Sequence, residues 1–322
     1  MKSYTAISLF AGVGGIDLGF EQTGKVTTVW ANEFDKNASI TFKANHNIKL
    51  HIDDIHNVDK TTLPKVDIVL SGFPCQAFSI AGYRKGFDDE RGNLFFETLD
   101  VIKATNPDVV FLENVKNLLT HDNGNTFTVI REALEQNGYH VKTYVLNAKN
   151  YGNVPQTRER IYIIGFKNEN ARNSFQPPIE IKLTTKLSDV IDFDTKVENK
   201  YYYTAEKQRF YDQLEDVITS QDTIYQWRRQ YVRENKSGVC PTLTANMGTG
   251  GHNVPLIKAK HGIRKLTPRE CFNLQGFPNN FILPDIANGQ LYKQAGNSVV
   301  VPVIKRIAEQ IILALEETRE II

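Results

Sequence analysis

Two side chains able to do covalent and acid–base chemistry follow two apolar segments of this chain. Cys75 comes shortly after the apolar run Val66–Ser71, and Glu113 comes directly after the run Pro107–Leu112. Both runs have the length and composition of buried strands, and the carboxyl ends of neighbouring parallel strands meet at one edge of a sheet. The spacing therefore predicts a thiol and a carboxylate in one crevice, where the thiol can act as a nucleophile. A buried cysteine with only a packing role is the plainer alternative.

A glycine-rich turn followed by acidic residues indicates a cofactor site. The turn Phe10–Gly15, FAGVGG, lies between an apolar run and a helical one, so its backbone can approach a ligand closely. Asp17 stands where a dinucleotide fingerprint needs its third glycine, and its carboxylate would repel a pyrophosphate. A cofactor without phosphate is therefore favoured, with Glu33 accepting hydrogen bonds from ribose hydroxyls and Asp54 from an adenine amino group. A structural turn with nearby surface acids is the alternative.

The elements that must position these residues alternate through the first half of the chain. The predicted strands are Thr5–Phe10, Val26–Ala31, Val66–Ser71, Pro107–Leu112, Val141–Asn147 and Arg160–Phe166. Helices are predicted from Gly15 to Gly24 and over Asp35–Asn45, Asn93–Thr105 and Thr126–Asn137. This alternation predicts an α/β fold with a doubly wound, mostly parallel sheet. Apolar residues at helical spacing from Val300 to Leu315 predict a closing helix that packs back on this sheet.

The composition changes after about residue 168. Residues 169–262 are rich in Asn, Thr, Gln and Tyr and show weak periodicity, which predicts a second, smaller and irregular domain. We expect a first domain over 1–180, completed by a helix over 297–322. The second domain is expected over 181–267, with a hinge over 268–296.

Composition restricts the class of protein without deciding its function. Apolar residues make up 41% of the 322 residues and charged residues 23%, the mix of an ordinary globular protein. Because there is no run of eighteen apolar residues and no signal-peptide pattern, a cytoplasmic location is expected. Cys75, Cys240 and Cys271 form no C-x-x-C pair, so neither a disulfide framework nor a metal site is expected. A net charge of +1 leaves open a local basic surface for nucleic acid.

Five segments resemble the ordered motifs of bacterial DNA (cytosine-5)-methyltransferases of the restriction–modification type. They are FAGVGG (Phe10–Gly15), GFPCQAFS (Gly72–Ser79), ENV (Glu113–Val115), QTRER (Gln156–Arg160) and QAGNSV (Gln294–Val299). The resemblance covers residues 5 to about 166 and about 264 to 305. It implies an S-adenosylmethionine-dependent methyltransferase fold with a target-recognition domain. It also implies methyl transfer from S-adenosyl-L-methionine to carbon 5 of a flipped-out cytosine in a specific duplex sequence, through a covalent adduct between Cys75 and carbon 6.

The same resemblance assigns the site residues. Catalysis would involve Cys75, Glu113 on the cytosine N3 edge, Arg160 on O2, and Arg158 in shaping the site. The cofactor-binding residues would be Phe10, Gly12, Gly15, Glu33, Asp54, Ile55, Pro74, Leu94, Asn297 and Ser298. The DNA-binding residues would be Gln76, Ser79, Thr242 and Leu243, the last two marking the target-recognition region. Residues 78–93 carry three glycines and are predicted to form a lid over DNA.

The expected partner is double-stranded DNA, read by a monomer with no membrane association. A cognate restriction endonuclease would belong to the same system without forming a stable complex. Basic residues of the second domain could meet phosphates: Arg228, Arg229, Arg233, Lys258, Lys260, Arg264 and Lys265. A solvated basic surface is their simpler interpretation.

Three other functions remain as alternatives. A tRNA cytosine-5 methyltransferase would keep the fold and change the substrate, but that branch usually carries Cys-Phe-Thr where this chain has Cys271-Phe272-Asn273. A DNA-binding regulator without catalysis would have lost Cys75 or Glu113, and both are present. A nicotinamide oxidoreductase conflicts with Asp17 in the glycine-rich turn.

Overall fold

The computed structural model describes residues 3–74, 94–228, 230–248 and 254–319. Its strands are β1 (Tyr4–Leu9), β2 (Val26–Asn32), β3 (Lys49–His51), β4 (Ile68–Ser71), β5 (Val109–Val115), β6 (His140–Asn147), β7 (Glu159–Phe166), β8 (Ile224–Trp227), β9 (Val232–Asn235), β10 (Leu256–Ala259) and β11 (Gly262–Lys265). Its α-helices are α1 (Gly15–Glu21), α2 (Lys36–Asn45), α3 (Leu94–Thr105), α4 (Asn125–Gln136), α5 (Ala148–Tyr151), α6 (Glu169–Ser174), α7 (Tyr211–Val217), α8 (Pro268–Asn273), α9 (Asn288–Asn297) and α10 (Val301–Arg319). Short 3₁₀ turns occur at Ile55–Asn57, Lys60–Thr62, Lys116–Leu119, His121–Gly124, Leu187–Asp189 and Asn199–Tyr201.

A seven-stranded sheet has the order β3-β2-β1-β4-β5-β7-β6. The strands from β3 to β5 pair in parallel, whereas β7 pairs antiparallel with β5. The chain runs outward from β1 to β2 and β3, and in the other direction from β4 to β5, so the strand order reverses between β1 and β4. Ligands of doubly wound sheets bind at such a switch point, outside the carboxyl ends of the strands. The predicted α/β class with a mostly parallel sheet is confirmed.

The apolar runs form strands because both faces of this sheet are covered. Every residue of β4 is buried, and in β5 only Val115, the last residue, is exposed. Buried parallel strands read as continuous apolar segments for this reason. The closing helix α10 contacts α1, where a Cβ added at Gly19 would lie 2.6 Å from the side chain of Ile304. None of the helices in the described ranges is both long and apolar enough to cross a membrane.

The chain divides into two compact units. Unit 1 comprises Met1–Leu146, Glu159–Ile179 and Val303–Ile322, and unit 2 comprises Asn147–Arg158 and Glu180–Pro302. Unit 2 contains a four-stranded sheet of order β11-β10-β8-β9, with antiparallel pairing, where the sequence indicated only irregular structure. Leu214, Tyr225, Trp227 and Leu256 belong to its apolar core. The predicted boundaries at residues 180, 267 and 296 stay predictions, because packing alone does not establish which segment reads DNA.

Candidate active site

The carboxyl ends of β1, β2 and β3 are joined through their backbone and through Glu33. The Ala11 amide donates to the Asn32 carbonyl (3.0 Å), and the Glu33 amide donates to the His51 carbonyl (3.1 Å). The Glu33 carboxylate accepts hydrogen bonds from the Gly12 amide through Oε2 (2.8 Å) and from the Asp35 amide through Oε1 (2.7 Å). The structure therefore brings the predicted glycine-rich turn and the predicted ribose-binding acid together.

The glycine-rich turn has the backbone of a ligand cradle. Phe10 and Gly12 have φ values of 53° and 58°, a left-handed conformation that is costly for a phenylalanine and easy for a glycine. A Cβ added at Gly12 would meet no atom within 4 Å, so the backbone there is open to a ligand. Such strain is retained mostly at functional sites. Gly15 is the first residue of α1 and is buried.

The acidic side chains near this turn favour a positively charged ligand over one that carries phosphate. Asp17 is fully buried, and its Oδ2 accepts a hydrogen bond from the Ser8 hydroxyl (2.9 Å). Burial raises the pKa of Asp17 to about 6, and burial also raises the pKa of Glu33. With a pKa of about 6, Asp17 is mostly ionised at neutral pH, so a further negative charge would be repelled here and a positive one attracted.

The adenine end of the predicted cofactor site lies at the next strand. Asp54 is exposed at the start of the 3₁₀ turn Ile55–Asn57, and Ile55 is buried. The Asp54 Oδ1 accepts a hydrogen bond from the His56 amide (3.0 Å), which together with the His56 ring holds the pKa of Asp54 below its usual value. Asn32 donates its side-chain amide to the Asp53 carbonyl (2.9 Å), tying this loop to β2. Asp54 thus stays an ionised acceptor.

The predicted catalytic carboxylate lies at the end of β5. Ser71 of β4 pairs with Leu112 of β5, so Glu113 is the next residue beyond the pair. Asn114 donates its side-chain amide to the Phe73 carbonyl (2.8 Å), and a Cβ added at Gly72 would lie 3.9 Å from Glu113 Oε2. The segment 72–74 that leads to Cys75 therefore runs beside the ENV motif. Pro74 is exposed at the end of this segment.

Arg160 reaches the same carboxylate because β7 runs antiparallel to β5. The amino end of β7 lies beside the carboxyl end of β5, with Arg160 paired to Val115 and Tyr162 paired to Glu113. Arg160 Nε lies 3.2 Å from Glu113 Oε1, and the two side chains are 14% and 11% exposed. This mostly buried ion pair places a guanidinium and a carboxylate at one point of the sheet edge.

Arg158 lies directly before β7, which begins at Glu159, and it belongs to unit 2. Its buried guanidinium donates to the carbonyls of Leu243 (2.9 Å), Gly296 (3.0 Å) and Ser298. Arg158 therefore ties three backbone segments of unit 2 together.

The predicted residues of unit 2 surround Arg158. Thr242 donates its hydroxyl to the Thr157 carbonyl (2.6 Å), and the Leu243 amide donates to the Gln156 side chain (3.1 Å). Leu243 is 1% exposed, so its described position supports the loop rather than presenting a side chain to DNA. Asn297, by contrast, is exposed at the end of α9, and Ser298 follows it, half-buried.

Several predicted residues lie outside the described ranges: Cys75, Gln76, Ser79, Arg229 and the predicted lid over 78–93. Leu94, directly after that gap, begins α3 and packs against the core of unit 1. Cys240 and Cys271 are described, and both are fully buried, which raises the pKa of each thiol well above its usual value. Neither of these two can supply a thiolate near neutral pH.

One predicted phosphate contact is wrong. Arg264 is 0% exposed and forms a bidentate ion pair with Glu270, at 2.8 Å to Oε2 and 2.7 Å to Oε1. Because this guanidinium is sealed inside unit 2, it has no access to a DNA backbone. Arg264 is buried beside Ile263, its neighbour on β11, so no alternation of the strand signals its burial.

Sequence reasoning missed two residues near the glycine-rich turn. Phe34 directly follows Glu33, and it is 69% exposed. An aromatic residue next to the acid at a strand end was the available signal. His46 lies under the glycine-rich turn, with Nε2 3.2 Å from the Val13 carbonyl. No local pattern points to His46, because its partner is 33 residues away in sequence.

Comparisons with known proteins show the family of the chain. The family model of C-5 cytosine-specific DNA methylases matches residues 4–313. The chain is 66% identical over 305 residues to the type II methyltransferase M.Bsp6I of Bacillus sp. (strain RFL6), covering 94% of this chain and 97% of that protein. It is 39% identical over 323 residues to the type II methyltransferase M.HhaI of Haemophilus parahaemolyticus, covering 95% and 93%.

Solved structures share the fold. A DNMT2 mutant from Spodoptera frugiperda superposes with a TM-score of 0.72 at 19% identity, covering 96% of this chain and 100% of that one. A putative DNA modification methyltransferase from an E. coli prophage gives 0.68 at 22%, covering 98% and 100%. The family match is to DNA methylases, so the tRNA-directed alternative is the weaker one. The chain belongs to the C-5 cytosine-specific DNA methylases and is a DNA cytosine-5 methyltransferase.

Proposed function

We propose that this enzyme methylates carbon 5 of a flipped-out cytosine in a specific duplex sequence. Cys75 is the proposed covalent nucleophile, and S-adenosyl-L-methionine is the proposed methyl donor. We also propose that the enzyme is the modification enzyme of a type II restriction–modification system. The observation that carries the proposal is the Arg160–Glu113 pair at the sheet edge, beside the segment 72–74. Cys75 is the next residue in the chain after Pro74.

The covalent step follows from the chemistry of the pyrimidine ring. Carbon 5 of cytosine is a poor nucleophile until a thiolate adds to carbon 6, because that addition converts the ring to an enamine. In the step proposed here Glu113 is protonated: its O–H donates to N3 and its other oxygen accepts from the exocyclic amino group, while Arg160 donates to O2. The negative charge that sulfur addition places on the ring is thus stabilised at N3 and O2. After methyl transfer, carbon 5 loses its proton to a base, the carbon–sulfur bond breaks, and Cys75 leaves as the thiolate.

Methyltransferases of this family generally use S-adenosylmethionine, which supplies an electrophilic methyl group on a sulfonium centre. Phe10, Gly12 and Gly15 would hold it at the glycine-rich turn, Glu33 its ribose, and Asp54 with Ile55 its adenine. Phe34 adds an exposed ring that can cover the adenine face. The acids around the turn favour a sulfonium and an ammonium over a phosphate. Pro74, Leu94, Asn297 and Ser298 complete the proposed contacts.

Recognition of the DNA target is proposed to depend on unit 2. A base inside a duplex is out of reach of a thiol, so the target must leave the stack at a cost of a few kcal/mol, recovered by contacts in the pocket. Gln76 and Ser79 are proposed to lie near the flipped nucleotide. Thr242 and Leu243 would set the position of the recognition loop. Arg158 would support this loop by donating a hydrogen bond to the Leu243 carbonyl. Similarity to a protein named as a type II methyltransferase supports a role in protecting DNA from a cognate endonuclease, and the enzyme is proposed to act as a monomer.

Bisulfite sequencing of DNA from cells expressing the chain tests this proposal, because it reports activity, target sequence and modified cytosine together. We expect one short sequence to carry 5-methylcytosine at one position. Cys75→Ser should abolish the mark, whereas Cys240→Ala, which alters a buried thiol, should keep it. Labelling of tRNA alone in a tritiated S-adenosylmethionine assay would overturn the choice of DNA as substrate.

A further inference from the structure

His46 lies directly beneath the glycine-rich turn. It caps the carboxyl end of α2, where its amide donates to the Phe42 carbonyl (2.9 Å). Its ring packs on Phe42 with centroids 4.6 Å apart, and its Nε2 is 3.2 Å from the Val13 carbonyl oxygen. The residue is 9% exposed. A buried imidazole this close to a carbonyl is expected to donate a hydrogen bond to it.

The imidazole and the turn also fit each other sterically. Gly14 has a φ of 82°, and a Cβ added there would lie 2.1 Å from His46 Nε2. Such a distance is far inside van der Waals contact, so the ring occupies the space that a side chain at position 14 would need. The conformation of the turn and the position of the ring are therefore interdependent.

The charges around His46 favour a proton on its ring. Its Nδ1 lies 3.9 Å from Glu21 Oε2, and Asp17 also acts on it electrostatically. Burial by itself lowers the pKa of His46, but the Glu21 and Asp17 carboxylates outweigh it and raise that pKa above its usual value. A protonated ring has N–H groups on both nitrogens, so Nε2 donates to the Val13 carbonyl while Nδ1 faces Glu21.

Two successive residues of the turn are thus held from the two ends of α2. The Gly12 amide donates to Glu33, which precedes α2, and the Val13 carbonyl accepts from His46, which follows it. We propose that His46 is a positioning residue for the cofactor, which fixes the Phe10–Gly15 turn in the conformation that binds S-adenosylmethionine. This inference rests on the proposed function of that turn. His46 lies outside all five sequence motifs, and none of the roles proposed above includes it.

Calorimetric titration of the purified enzyme with S-adenosylmethionine, without DNA, tests the inference. We expect His46→Ala to weaken cofactor binding about tenfold, the equivalent of one lost hydrogen bond to a charged donor. In a separate methylation assay with DNA, kcat at saturating cofactor should change less than about twofold. His46→Gln keeps an N–H donor and should restore affinity to within about threefold of the unchanged enzyme. His140→Gln, at an exposed histidine that begins β6, is the matched control.

A double-variant cycle with Gly14 separates positioning from general stability. Gly14→Ala should weaken binding more than about tenfold in the parent enzyme, where the new methyl meets His46, and less than about threefold in the His46→Ala background, where only backbone strain remains. Equal penalties in the two backgrounds would overturn the inference, as would an unchanged affinity of His46→Ala. If the parent enzyme fails to bind S-adenosylmethionine, the proposed function of the turn fails instead. Should His46→Ala not fold, the same comparison is made with His46→Ser, whose short side chain likewise vacates the space beside Gly14.

Discussion

The ion pair between Arg160 and Glu113 is expected to couple the two residues by about 2–4 kcal/mol. At 3.2 Å and an effective dielectric constant of about 20, two unit charges attract by about 5 kcal/mol. Part of this attraction is offset because both side chains are more than four-fifths buried and have lost solvation. Removing one partner leaves the other charge poorly solvated, so Arg160→Met alone should cost about 3 kcal/mol of unfolding free energy.

Urea unfolding of four proteins measures this coupling: the parent, Arg160→Met, Glu113→Gln and the double variant. The chain has two tryptophans, Trp30 in unit 1 and Trp227 in unit 2. In a Trp227→Phe background the fluorescence of Trp30, 6% exposed on β2, therefore reports the unfolding of unit 1. The double variant should lose about 2–4 kcal/mol less than the two single variants together.

The exposed pair Lys116–Glu159 gives a matched control in the same part of unit 1. Its Nζ–Oε2 distance is 3.0 Å, similar to that of the buried pair, but its side chains are 52% and 43% exposed. Exposed pairs contribute little, so a cycle of Lys116→Met and Glu159→Gln should give no more than about 0.5 kcal/mol. A coupling free energy for Arg160–Glu113 no larger than that of Lys116–Glu159 would refute the electrostatic reasoning about the buried ion pair.

Three further predictions concern other buried groups. The pKa of Asp17 is raised to about 6 in the folded state. Its ionisation therefore lowers the unfolding free energy, and this loss is absent at low pH and grows as pH rises from about 4 through 6. Asp17→Asn should therefore stabilise the protein by about 1–3 kcal/mol at pH 8 and by less at pH 5, measured by urea unfolding. Glu33→Gln places an amide N–H against the Gly12 amide and should weaken S-adenosylmethionine binding about tenfold by calorimetry. Arg158→Lys cannot reach three carbonyls with one ammonium and should cost about 2 kcal/mol, seen as earlier unfolding of Trp227 fluorescence.

The parallel sheet could be predicted because its strands are buried on both faces. The segments that became β4 and β5 contain the apolar runs Ile68–Leu70 and Val109–Leu112, and the register of Ser71 with Leu112 follows once they are neighbours. Glu33 and the glycine-rich turn were predicted to meet because each follows a strand of this sheet, and the bond from the Gly12 amide joins them. Local pattern and sheet topology suffice for such residues.

Contacts that join distant segments were not predictable in the same way. The sheet of unit 2 pairs Leu256 with Tyr225 across 31 residues, and its strands have four residues each, too few for a clear alternation. Arg158 donates to carbonyls at residues 243, 296 and 298, which are 85, 138 and 140 residues away in sequence, so no local pattern predicts these contacts. Nothing in the sequence distinguishes Arg264 from a surface cation, because its ion pair with Glu270 is visible only in the structure.

The central claim is that Cys75 bonds reversibly to carbon 6 of the target cytosine. The most direct measurement incubates the enzyme and S-adenosylmethionine with duplex DNA carrying 5-fluorocytosine at the target position, then denatures the mixture and separates it by electrophoresis. Fluorine cannot leave carbon 5 as a cation, so a stable complex with a mass equal to protein plus methylated DNA should form, and peptide mapping should place the bond at Cys75. A complex that forms equally well with Cys75→Ser, or a parent enzyme that methylates ordinary DNA without ever trapping the fluorinated duplex, would contradict the account.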